Sequence, residues 1–88
     1  MNKNVAVLFK HNGVELGTFE EVFEDVDDYN TVDCLSECIY YGCFFDLSKW
    51  NEWNIDNIED FDFFLEGNRL ADDTKLKDIN GIITCVIR

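Results

Sequence analysis

The sequence predicts a single α+β domain in which a small sheet packs on one amphipathic helix. Three observations carry that expectation. A β-rich run, Val5-Ala6-Val7-Leu8-Phe9-Lys10, leads through His11 into Asn12-Gly13 and a second β-rich run over residues 14–19. Val32, Leu35 and Ile39 then recur at helical spacing, with Cys38 flanking the same stripe. Two further β-rich runs, residues 61–65 and 82–88, lie in the last third of the chain.

Each element has a local reason. In the first run Val5, Val7 and Phe9 share one face and Ala6 and Leu8 the other. Asn-Gly between such runs is a strong hairpin signal because both residues tolerate positive φ. Gly17 marks a bulge or bend in the return strand. Residues 20–28 carry six acids in nine positions and read as a solvated strand end and loop. Asn30-Thr31 begins a helix over about 31–41, with Asp33 in the first turn where the dipole favours negative charge, and Gly42 ends it. In residues 43–60, Ser48 is placed to cap a short helix bearing Trp50 and Trp53 on one side. These tryptophans read either as an extension of the core or as an exposed aromatic anchor for a partner. Phe61, Phe63 and Leu65 point inward from the third strand, with Asp62 and Phe64 outward. Glu66-Gly67-Asn68 forms a turn, Arg69-Leu70 a short return, and Leu76 and Ile79 two more apolar anchors. In the final strand Ile83, Cys85 and Ile87 face the core, and Thr84, Val86 and Arg88 face away.

Composition bounds the rest. With 88 residues, 47% of them apolar and 15% aromatic, the chain suits one folded domain rather than a disordered acidic tail. A net charge of −12 argues against nucleic acid or an anionic membrane as a direct ligand. No apolar run is long enough to span a bilayer, and the five apolar residues from Val5 to Phe9 are too few for a signal-peptide core. The expected compartment is therefore intracellular, cytoplasmic or nuclear. In that setting Cys34, Cys38, Cys43 and Cys85 read as reduced thiols acting as small hydrophobes.

Chemistry-bearing patterns are sparse. Zinc would need Cys34, Cys38 and Cys43 plus a fourth ligand, and the single histidine, His11, lies far off in sequence. Asp25 to Asn30 offers oxygen ligands but lacks the glycine and terminal glutamate of an EF-hand loop. Asp72-Asp73 reads as a solvated turn, and no nucleophile elbow, phosphate loop or HExxH motif is present. No metal, no cofactor and no catalytic activity are expected.

In the last quarter, Phe63-Phe64-Leu65-Glu66-Gly67-Asn68-Arg69-Leu70-Ala71-Asp72-Asp73-Thr74-Lys75-Leu76-Lys77-Asp78-Ile79-Asn80 resembles the corresponding stretch of ubiquitin and its small-modifier relatives. Cys85-Val86-Ile87-Arg88 resembles their closing strand, Thr31-Val32-Asp33-Cys34-Leu35 with Ile39 their helix, and Val5, Val7, Phe9 and Lys10 their first strand. The resemblance implies a ubiquitin-like β-grasp fold with a mixed four- to five-stranded sheet on one main helix, and residues 43–60 as a probable insertion. The family's conjugating glycine pair is not among these 88 residues, so conjugation is not expected of the chain as given, and Asn80-Gly81 replaces a longer loop. The resemblance also places the family's hydrophobic patch at Phe64 and Val86. Its loop leucine falls near Asn12, and its basic rim is reduced to Arg88, with Asp62 and Asn68 at two rim positions. Partners that read that rim should bind poorly here.

The acids are unevenly spread. Between Glu15 and Glu66 lie 16 acids and one base, while the remaining residues hold 3 acids and 6 bases. Apart from a merely solubilising role, this concentration suits two functions. The first is a non-catalytic module docking a basic protein through Glu20, Glu21, Glu24, Asp25, Asp27, Asp28 and Asp62, with Phe64, Val86 or Trp50 and Trp53 as apolar anchors. The second is a phage or viral nucleic-acid mimic that inhibits a host DNA- or RNA-binding protein.

Overall fold

A computed structural model of the chain describes residues 2–41, 51–53 and 61–87. Its elements run β1 (Lys3–His11), β2 (Val14–Phe23), α1 (Val32–Tyr40), β3 (Phe61–Leu65), β4 (Asn68–Arg69), a 3-10 turn (Leu76–Asp78) and β5 (Ile83–Ile87). The architecture is α+β, with one five-stranded sheet in the order β2-β1-β5-β3-β4. β1 and β5 run parallel at its centre, and every other neighbouring pair is antiparallel.

The N-terminal hairpin follows from its turn chemistry. Asn12 and Gly13 adopt φ of 51° and 78°, the two-residue geometry whose twist matches that of the flanking strands. No atom would obstruct a Cβ at Gly13, so a side chain there meets only backbone strain. Gly13→Val is therefore expected to cost about 1–2 kcal/mol in a urea titration, with the fold retained. The β1/β2 register shifts between Phe9 and Lys10, a bulge placed where Gly17 suggested one. β2 itself runs beyond residue 19 to Phe23, because Lys3–Val5 at the start of β1 supply ladder partners for Glu21–Phe23.

Helix α1 begins at Thr31 without a side-chain cap. Its first free N–H groups instead donate to carbonyls of the loop before the 3-10 turn, Val32 to Thr74 (3.0 Å) and Asp33 to Asp72 (3.1 Å). The Leu76 N–H returns to the Asn30 carbonyl at 2.8 Å, so helix start and loop lock each other. Gly42 and most of residues 43–60, including Trp50, lie outside the described residues.

One face of the sheet makes the core. Val5, Val7, Phe9, Phe63, Ile83, Cys85 and Ile87 pack with Val32, Leu35 and Ile39 of α1 and with Val26, Leu76 and Ile79. Of the three described free thiols, Cys85 is buried as expected, whereas Cys34 and Cys38 are only half-buried on α1. The Cys34 thiol donates to the Tyr29 carbonyl at 3.5 Å, a polar use of a residue read as a small hydrophobe. Among the described residues no helix is long and apolar enough to cross a membrane.

Candidate functional site

Strand alternation sends the other half of the sheet's side chains to the face away from α1. Pairing aligns them in rows. One row crosses all five strands: Thr18, Leu8, Thr84, Phe64 and Arg69. The next holds Glu15, Lys10, Val86 and Asp62. Ala6, beside Glu20, extends the apolar centre. Phe64 and Val86 thus share one surface, as the sequence reading expected, and both are half-buried.

Leu8 joins them, a residue that reading left without a role. Its signal was present in the alternation, since an apolar residue on the face opposite Val7 and Phe9 marks a second apolar surface. Asn12, where the resemblance placed a loop leucine, is instead spent on the hairpin turn.

Two ion pairs lie on this face. Arg69 Nη2 donates to Asp62 Oδ1 at 3.0 Å, and Lys10 lies 3.9 Å from Glu15. The open face is therefore an apolar centre edged by two ion pairs and, on β2, by the exposed Glu20. Arg69 supplies a cation close to the rim that the sequence alone had reduced to Arg88, which lies outside the described residues.

The remaining candidate acids divide into two sets. Asp27 and Asp28 serve the β2–α1 loop. Asp27 Oδ1 accepts from the Tyr29 N–H at 2.9 Å, and the Asp27 N–H donates to Asn30 Oδ1 at 2.9 Å. Asp28 pairs with Lys77, and with Lys75 at 3.9 Å. The hydrogen bond from Lys77, helped by the charge of Lys75, holds the Asp28 carboxyl below its usual range.

Glu20, Glu21, Glu24 and Asp25 make up the second set. All are exposed, and among the described residues none is ion-paired. Glu20 accepts only a long hydrogen bond, 3.4 Å, from Asn4. Strand β2 and the turn after it thus carry uncompensated negative charge, as do the exposed Asp33, Glu37 and Glu66 elsewhere among the described residues.

Trp53 sits on the other side of the sheet. Its ring is 6.1 Å from Phe9 and 5.6 Å from Phe19, edge to face with the latter, and it is half-buried against the core. That placement gives it a covering role over the β1/β2 end of the core. No group of three or more His, Cys, Asp or Glu side chains is arranged to hold a metal among the described residues. A comparison with protein families matched none, and a comparison with curated proteins found no match.

Proposed function

We propose that this chain is a ubiquitin-like β-grasp domain acting as a non-catalytic module that binds a basic protein. The sheet order, the helix α1 between β2 and β3 in sequence and the resemblance of residues 63–80 support the family reading. The observation that carries the functional reading is the open face. Leu8, Phe64 and Val86 form an apolar centre whose nearby charges are paired, beside a margin of unpaired acids on β2. Apolar centre and polar rim are the ordinary anatomy of a protein interface. The acidic margin accelerates encounter with a basic partner and makes it salt-dependent.

The test is capture from lysate on the immobilised chain, followed by identification of the partner and its affinity. Phe64→Ala with Leu8→Ala is expected to weaken that affinity at least about tenfold, the effect of removing central apolar anchors, while circular dichroism stays unchanged. A captured protein released by competing duplex DNA while indifferent to these two substitutions would favour the nucleic-acid mimic. Binding that ignores both the substitutions and salt would overturn the open-face reading.

A further inference from the structure

Asn-Gly occurs twice in the chain, at Asn12-Gly13 and at Asn80-Gly81. Such a pair carries a latent reaction of its own. The nitrogen of the following peptide bond can attack the asparagine side-chain carbon, and a glycine, lacking a Cβ, leaves that approach unobstructed. Closing the ring requires rotation about the asparagine Cα–C bond until nitrogen and carboxamide meet, so the surrounding backbone decides which pair reacts.

Asn12-Gly13 is closed on both sides. His11 and Val14 pair across the turn, which fixes φ at 51° and 78° between them. His11 Nδ1 lies 3.1 Å from the Ile87 carbonyl, and a carbonyl only accepts, so Nδ1 is the donor there. Nε2 then accepts from the Asn12 carboxamide nitrogen at 3.3 Å. Rotation of the Asn12 backbone into the attack geometry would break the turn that joins β1 to β2.

Asn80-Gly81 has no such restraint. Both residues are exposed and lie outside the ladders, between the buried Ile79 and the start of β5. Among the described residues the Gly81 N–H meets no acceptor. Gly81 takes φ of 109°, so the fold itself calls for a glycine after Asn80. Lys3 Nζ donates to Asn80 Oδ1 at 3.3 Å. That oxygen gains negative charge when the nitrogen adds to the carbon, and an ammonium already seated on it stabilises the adduct as an oxyanion donor does.

We infer that Asn80 is a self-modification site, converted to aspartyl and isoaspartyl forms without an enzyme, with Lys3 as the activating group. Solvent hydroxide takes the Gly81 N–H proton as the nitrogen bonds to Asn80 Cγ. The Cγ–Nδ2 bond then breaks and the amide leaves as ammonia, its extra proton drawn from water, which leaves a cyclic imide. A water molecule opens that imide at one of its two carbonyls, breaking the bond from that carbon to nitrogen. Opening at Cγ gives aspartate with the original backbone. Opening at the main-chain carbonyl gives isoaspartate, in which the chain runs through the former side chain and gains one carbon just ahead of β5. Either product sets a carboxylate beside the Lys3 ammonium. The inference is independent of the basic-partner reading.

The experiment ages the purified full chain at mildly alkaline pH, in buffer and in urea, and follows both pairs by peptide mass mapping. Isoaspartate is identified by its enzymatic methyl esterification. In the folded chain Asn80 is expected to convert at least about tenfold faster than Asn12, and in urea the two rates should converge. Lys3→Met should slow Asn80 several-fold in buffer but not in urea, with Asn12 as the internal reference. Asn80→Gln should stop the reaction at this position, because its ring would need one more atom. Equal rates at the two pairs in the folded chain, a faster Asn12, or an Asn80 that converts only in urea would each overturn the site. A Lys3→Met chain that ages at the parental rate would overturn the activation by Lys3.

Discussion

Phe9→Ala is expected to bring the domain to the margin of folding. Phe9 is fully excluded from solvent and lies in the row that joins Cys85 to Phe63 across the central strands. Its ring stands 5.6 Å from Phe19, edge to face, with Trp53 tilted beside it. Truncation removes the ring's transfer free energy and leaves a cavity that a sheet paired on both sides of β1 cannot readily close. Such changes cost about 3–5 kcal/mol, and a domain of this size has roughly 4–13 kcal/mol in total. Urea unfolding measures the loss. Trp53 lies against the altered site, so its fluorescence should also report a change in the native state. A loss below about 1 kcal/mol would contradict a central position for Phe9.

The second large effect is loss of stability in alkali, traced to Cys85. Its side chain lies at the centre of the sheet, fully excluded from solvent between Phe9 and Phe63. Burial pushes the thiol far above its ordinary value of 9.0, and the nearby Asp62 carboxylate adds to the shift. The folded protein therefore keeps Cys85 protonated where the unfolded chain releases the proton. Below the ordinary thiol value both states are protonated and the contribution is fully present. Above it, ionisation favours the unfolded chain, and stability falls by about 1.4 kcal/mol per pH unit. Between about pH 9 and pH 11 the loss from this group alone is on the order of 2 kcal/mol.

Cys85→Ala is the comparator. It lowers stability by a fixed amount at neutral pH through the cavity it leaves, and it should show a shallower alkaline slope. Contributions common to both proteins cancel in the difference. Parallel slopes for the two proteins would show that Cys85 is not sheltered. A thiol reagent gives an independent check: Cys34 and Cys38, half-buried on α1, should react in the native state, and Cys85 only through unfolding.

Much of this architecture was legible because it is local. Asn12-Gly13 specified the hairpin turn through φ, and Val32, Leu35 and Ile39 specified the buried stripe of α1 through helical period. The alternation of Ile83, Cys85 and Ile87 specified the inward face of β5. Residues 20–28 read as a solvated strand end and loop, and the structure sets the division between the two at Phe23. The strand character of residues 20–23 comes from pairing with Asn4 and its neighbours, almost twenty residues earlier. Trp53 was balanced between core and interface on sequence grounds, and contact with Phe9 and Phe19 places it on the core side.

The candidate surface divides along the same line. Outward positions for Phe64 and Val86 followed from period-two alternation alone. Their assembly with Leu8 required β5 to lie between β3 and β1, the latter more than fifty residues earlier in the chain. Charge shows the contrast most clearly. Sequence by itself determined the excess of acids between Glu15 and Glu66, since counting needs no structure. Only the tertiary structure decided how particular acids are used: Asp62 meets Arg69, Asp28 meets Lys77, and Asp27 closes a turn, while Glu20, Glu21, Glu24 and Asp25 are among the exposed acids left without an ion pair in the described residues. The physical reason is range. Turn geometry and periodicity act between residues a few positions apart, whereas ion pairing and apolar contact depend on distances that exist only after the chain has folded.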